Sequence, residues 1–120
     1  MIDHSARRFT ILEHDHPFLH WDLLIQDGNV LTACRLLQRP KAGCWIEAEA
    51  LPDHRLMYLD YEGPVSNNRG HVVQFTTGVL EPLPALDAGD VQSYNLFDTS
   101  FATKAERKVS SAALVEWRFT

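Results

Sequence analysis

Six histidines in 120 residues are a high density of the side chain that most often ligates metals and moves protons near neutral pH. Three fall in one stretch, Glu13-His14-Asp15-His16-Pro17-Phe18-Leu19-His20-Trp21-Asp22. If His20 to Ile25 is a β-strand, residues two apart share a face. His20, Asp22 and Leu24 then point one way, and Trp21, Leu23 and Ile25 point the other, toward a core. A short bend through Pro17 folds His14 back over the His20/Asp22 face. Two imidazoles and one carboxylate form a mixed N/O donor set, suited to a first-row divalent cation with positions left for water or substrate. The same His-x-Asp spacing also serves an ordinary hydrogen bond on a solvated face. His16, beside Pro17, reads as an exposed loop residue, and His4 as part of a frayed terminus.

A second stretch, Pro52-Asp53-His54-Arg55-Leu56-Met57-Tyr58-Leu59-Asp60-Tyr61-Glu62-Gly63, places an imidazole and a phenol four residues apart. His54 supplies a proton donor in one reading and Tyr58 a hydrogen-bonding hydroxyl. In the other reading it is a surface loop with packed aromatics and solvated charges.

The elements that must position these residues read as short strands. Phe9–Leu12, His20–Ile25, Val30–Leu37, Trp45–Ala50, His71–Leu80, Val91–Phe97 and Ala113–Phe119 alternate or are rich in β-formers. Asp27-Gly28 marks a hairpin between the second and third. Loops fall at Glu62-Gly63-Pro64, Ser66–Gly70 and Pro82-Leu83-Pro84. Only Thr99–Ala112 has room for a short helix, and its apolar stripe is poor. Seven or eight such strands predict an all-β fold, a small antiparallel β-barrel with one or two short flanking helices, in a single domain over residues 1–120. Closure removes the exposed edges of a small sheet. Trp21, Trp45, Trp117 and Phe75 are expected in the core.

Composition limits the function classes. Hydrophobic residues make up 45% and charged residues 22%, an ordinary globular balance. A net charge of −5 excludes a generic basic coat that grips nucleic acid by charge alone. The first residues lack a secretory h-region, and no apolar run is long enough to span a membrane. Cys34 and Cys44 read as reduced thiols, so the expected setting is cytoplasmic.

Taken in order, His14-x5-His20-Trp21-Asp22, the Asp27-Gly28 turn, Asp53-His54-x3-Tyr58 and Tyr61-Glu62-Gly63 resemble the 3′-phosphoesterase domain of bacterial DNA ligase D, in a stand-alone version. The family pattern runs His-Asp-Ala-x-x-Leu-His-Tyr-Asp-Phe-Arg-Leu, an Asp-Gly turn, a strand, then Asp-His-Pro-Leu-x-Tyr-x-x-Phe-Glu-Gly. The likeness spans about Arg8 to Leu80. It implies a small β-barrel and a manganese-dependent enzyme that trims 3′ ends of DNA, removing a terminal ribonucleoside and then the 3′-phosphate. It places metal ligands at His14, His20 and Asp22, the catalytic histidine at His54 and the phosphate-side tyrosine at Tyr58.

The chain departs from the pattern at the phosphate clamps. A family arginine two residues after the ligand aspartate is Leu24 here, which cannot make a bidentate guanidinium–phosphate contact. Another falls on Ile46, and a family lysine falls near Gln38, with Arg39 adjacent as a substitute. Arg35, Arg39, Arg55 and Arg69 are scattered in sequence, as ordinary solvated surface charges are, and one or two can line the site in place of the missing arginine. No exposed aromatic is interleaved with basic residues in the way base stacking requires. The expectation is therefore a Mn²⁺-dependent phosphoesterase, with Zn²⁺, Fe²⁺ or Ni²⁺ as other metals such a site accepts. It would be a monomer acting on 3′ ends of DNA or RNA–DNA, alone or beside a repair-complex partner, and away from membranes. The alternative is a non-catalytic metal-binding barrel that works through protein or nucleic-acid contacts.

Overall fold

The computed structural model describes residues 6–84, 91–110 and 114–120. Nine strands follow in chain order: β1 (Arg7–His14), β2 (His20–Asp27), β3 (Val30–Leu36), β4 (Trp45–Arg55), β5 (Gly63–Pro64), β6 (His71–Pro82), β7 (Val91–Phe97), β8 (Lys104–Val109) and β9 (Leu114–Phe119). Every pairing is antiparallel. The order β1-β2-β3-β4-β9-β8-β7-β6 closes through β1–β6 into an eight-stranded barrel, with β5 as a stub on β6. The only helical element among the described residues is a single 3₁₀ turn, Leu56–Leu59.

Alternation along the strands builds the interior. Phe9, Ile11, Trp21, Leu23, Leu36, Ile46, Trp117 and Phe119 are buried in one cluster, and Ile25 packs against it. The β2–β3 hairpin turns at Gly28 and Asn29, with Asp27 opposite Val30. Gly28 has φ +63°, which a residue without Cβ adopts at no steric cost.

A second, smaller core lies on the outside of the barrel. Leu12, Leu24, Leu31, Leu59 and Val72 are buried together, covered by Leu56, Tyr58, Tyr61 and Val65. The 3₁₀ turn and the segment after it thus roof the outer face of β1, β2 and β3. A bulge in β6, where Ile11 pairs with Thr76 but Leu12 with Gln74, shifts its alternation. Val72 consequently serves the outer core and Leu80 the inner one, although both have even numbers.

Three expectations need correction. Residues 104–109 of the segment suggested for a helix form β8, held between β7 and β9. Residues 111 and 112 of that segment, Ala113 of the last expected strand and His4 lie outside the described residues. Trp45 is not in the core: it sits on the outer surface with Lys108 Nζ 4.4 Å and the Arg118 guanidinium 4.5 Å from its ring centre. β4 continues past Ala50 to Arg55, so Pro52 to Arg55 are strand rather than loop. Trp21, Trp117 and Phe75 do pack in or against the inner core. Both cysteines are free. No helix among the described residues is long and apolar enough to cross a membrane.

Candidate metal centre and its cleft

His14 closes β1 and His20 opens β2, and the two are direct cross-strand partners. Their rings lie 4.9 Å apart, centre to centre. Asp22, two residues along the same face, completes the group. One ligand atom from each residue falls within 4.8 Å of the others. His20 and Asp22 are buried, at 2% and 3% exposure, and His14 is half-buried.

The ring nitrogens are set by backbone carbonyls. A carbonyl only accepts, so His20 Nδ1–H donates to Phe18 O at 2.8 Å and His14 Nε2–H donates to Arg69 O at 2.8 Å. His20 Nε2 and His14 Nδ1 are left to face Asp22. His20 Nε2 stands 2.9 Å from Asp22 Oδ1, and His14 Nδ1 stands 3.2 Å from Asp22 Oδ2. Asp22 Oδ1 nevertheless has no aligned hydrogen-bond donor. His20 Nε2 and Asp22 Oδ1 thus face each other with no aligned hydrogen between them, an approach that a cation bound by both would satisfy. Histidine metal ligands characteristically have their far nitrogen tied to a carbonyl or carboxylate in this way. The residues fit a divalent ion, and His14, His20 and Asp22 can hold one.

Electrostatics follow the same geometry. Burial pushes the Asp22 carboxyl up, but the facing imidazoles of His14 and His20 outweigh it and hold it at about 2. His14 is raised above its ordinary 6.5, chiefly by its hydrogen bond with Asp22, against the opposing effect of burial. In the metal-free pair the Asp22 carboxylate thereby favours the protonated form of His14.

The centre opens into a cleft of about 560 Å³. His54 and Tyr58 line this cleft too, so the structure brings both sequence-predicted groups to the metal face. A bulge places His54: Leu51 pairs with Ala33 but His54 with Leu31, one residue more on β4 than on β3. Pro52, which has no N–H for the ladder, falls in the bulge. Its carbonyl accepts from His54 Nδ1–H at 2.9 Å, leaving Nε2 free. The His54 and Tyr58 rings meet edge-on at 6.1 Å.

The sequence left open which arginines line the site, and it placed His16 outside it. Arg35 is the cross-strand partner of Asp22 and lines the cleft. Its Nε is buried without a hydrogen-bond partner, and its guanidinium lies 5.0 Å from the centre of the Phe18 ring. The sequence did hold a signal for it. Counting back from the two-residue turn pairs 27 with 30, and so 22 with 35. Phe18 is 52% exposed, so an exposed aromatic of the β1–β2 loop does sit beside a basic group on β3, rather than along one strand. His16 is half-buried and lines the cleft, with its ring 6.4 Å from that of His14. Arg55 and Arg69 reach the cleft as well, whereas Arg39 pairs with Glu13 at 3.6 Å and caps the Phe75 ring. Leu24 and Ile46 are buried in the outer and inner cores and do not line the cleft.

The loop that fixes His14 is itself pinned. Asp15 Oδ1 accepts the His71 N–H at 2.7 Å, and Val65 N–H donates to Gly70 O at 2.8 Å. Gly70 has φ +79°, and a Cβ there would stand 2.2 Å from Asp15 Oδ1. Asn67 and Asn68 also take positive φ. No known family model matches the chain. No curated protein matches it either.

Proposed function

We propose that the protein is a divalent-metal-dependent phosphoesterase acting on 3′-phosphate or 3′-ribonucleotide ends of DNA, as its resemblance to the DNA ligase D 3′-phosphoesterase domain implies. The observation that carries the reading is the convergence on Asp22 of two histidine nitrogens whose other nitrogens are tied to carbonyls, in a cleft that also holds His54 and three arginines. Mn²⁺ is the metal proposed, and Zn²⁺ suits the same N/N/O donors. Bound there, such an ion polarises phosphorus–oxygen bonds and offsets phosphate charge.

The chain's own residues supply the rest. Arg35, Arg55 and Arg69 present guanidinium groups to phosphate oxygens, in place of the family arginine that Leu24 replaces. The unpartnered Nε makes Arg35 the foremost of the three. His54, held by Pro52 O through Nδ1, directs Nε2 outward, and when protonated there it donates to a leaving oxygen. The Tyr58 hydroxyl orients the phosphate. Leu12, Leu51, Val65 and Val72 give the cleft a partly apolar wall that excludes water. Phe18 offers a face for a terminal base or sugar.

A primer–template bearing a 3′-phosphate or one 3′-ribonucleotide tests this. The protein should trim it with Mn²⁺, stop in EDTA, and fail as His14→Ala. No trimming by folded, metal-loaded protein would sink the reading. One observation favours a second reading, a metal-binding module without catalysis: the two clamp positions are committed to the cores as Leu24 and Ile46. His54→Ala separates the two, since only an enzyme has hydrolysis to lose while it stays folded.

A further inference from the structure

The barrel has a second cavity, of about 380 Å³, at the end opposite the metal centre. It shares no lining residue with the cleft, so nothing assigned above uses it. Eight-stranded barrels are just wide enough to be filled by side chains or to hold one small ligand. Here the inward positions near the mouth carry small side chains, Cys34 on β3 and its partner Ala50 on β4. They leave the interior unfilled at that end.

Two donor groups in this cavity lack a strong partner. Trp117 is 3% exposed, lines the cavity, and its Nε1–H has only the Cys34 thiol, a weak acceptor, beside it and no oxygen or nitrogen partner. Buried donors are nearly always satisfied, so an indole N–H left with a thiol alone needs an explanation. Arg107 is the direct cross-strand partner of Trp117 and therefore faces the same interior. It is half-buried, and among the described residues its side chain makes no ion pair and no hydrogen bond. Tyr94 stacks on Trp117 at 5.3 Å, and burial keeps its phenol protonated, a further donor at the wall. The remaining walls are apolar, with Leu23, Ile25, Leu80 and Val115 among them.

We propose that the barrel mouth binds a small organic monocarboxylate, its carboxylate held by Arg107 and the Trp117 indole N–H and its apolar body lying against Leu23, Ile25 and Leu80. A monoanion is favoured over phosphate by charge count. The other guanidinium at the mouth, Arg7, already faces Asp27 at 3.7 Å, which leaves one unpaired cation. The apolar walls would strand the second charge of a dianion. Several inward side chains would also have to move for a flat surface to reach the donors, so the site suits a small molecule rather than a macromolecule.

The test titrates ¹⁵N-labelled protein with sodium octanoate, and in parallel with 1-octanol, while following the indole N–H resonances. Trp117→Phe assigns the Trp117 signal. Octanoate should shift that signal saturably, and octanol should bind at least tenfold more weakly, as charge-assisted hydrogen bonds require. Arg107→Gln should weaken octanoate tenfold or more, with spectral dispersion reporting that it is folded. Ala50→Trp, a rim substitution that leaves both donors intact, should block binding, and His14→Ala should leave it unchanged. Absence of a saturable shift, equal binding of octanol, or undiminished binding by folded Arg107→Gln would each overturn the proposal.

Discussion

The two faces of β2 use one backbone for opposite ends. Inward, Trp21, Leu23 and Ile25 meet apolar neighbours from all round the barrel. Outward, His20, Asp22 and Leu24 meet a polar cleft at one end and a small apolar core at the other. The inner face is specified by area removed from water, which many apolar residues satisfy. The outer face is specified by atoms: one nitrogen of each histidine, one carbonyl for each, and a carboxylate between. Leu24 belongs to this outer face with the metal-site residues, but its environment is that of a core residue.

Leu24 gives the sharpest way to break that comparison. It is fully buried among Leu12, Leu31, Leu59 and Val72. Leu24→Arg places a guanidinium there with no carboxylate in the cluster to pair it. The expected result is a loss of several kcal/mol in urea unfolding and no gain in phosphate affinity. Improved phosphate binding at unchanged stability would show that the outer face has kept its clamp geometry. On the inner face, Leu23→Ala truncates a buried apolar side chain and should cost about 3 kcal/mol. Metal binding by the remaining folded protein should be unaffected, because Leu23 points away from Asp22.

Why one face was more legible than the other follows from how far each signal reaches. The period-two pattern of β2 and the Asp27-Gly28 turn are local, and they predict its strand, its two faces and its hairpin. The His14/His20/Asp22 group is close to local too, since five loop residues separate the two strands. β8 was illegible because its inward positions are Ala105 and Arg107, so no apolar alternation marks Lys104 to Val109. Pairing on both sides makes it a strand regardless of its composition. Pro52 reads as a breaker, yet the bulge accommodates it and carries His54 into the cleft. Arg69 reaches the site through tertiary contact alone, and no spacing rule announces it.

The metal face should also respond to pH in a way the core cannot. Asp22 is depressed from 3.8 to about 2, so its stabilising contribution is present above 3.8 and lost as pH falls through 2. That contribution amounts to about 2 kcal/mol. His14 is raised, so its contribution is present below 6.5 and lost as pH rises through the folded value. Metal-free protein should therefore gain most from this pair between about 4 and 6.5. Metal must displace the His14 proton, so stabilisation by added Mn²⁺ should grow as pH rises through the same region. Calorimetry with and without Mn²⁺ from pH 5 to 8 checks the two opposed trends. Parallel curves would detach His14 from the ion.

The smallest effect separates positioning from folding. Gly28 and Gly70 both hold positive φ, and alanine at either should cost about 1 kcal/mol from backbone strain. A Cβ at Gly28 meets nothing within 4 Å, whereas one at Gly70 runs into Asp15 Oδ1. Gly70 follows Arg69, whose carbonyl sets the His14 ring. Gly28→Ala should therefore lower stability alone, while Gly70→Ala should also weaken Mn²⁺ binding, by the tenfold or so that loss of a ligand's outer hydrogen bond produces. Equal metal affinity in the two variants would mean that the loop carbonyl does not hold His14 in place. The orientation of His14 would then rest on Asp22 and the β1–β2 register.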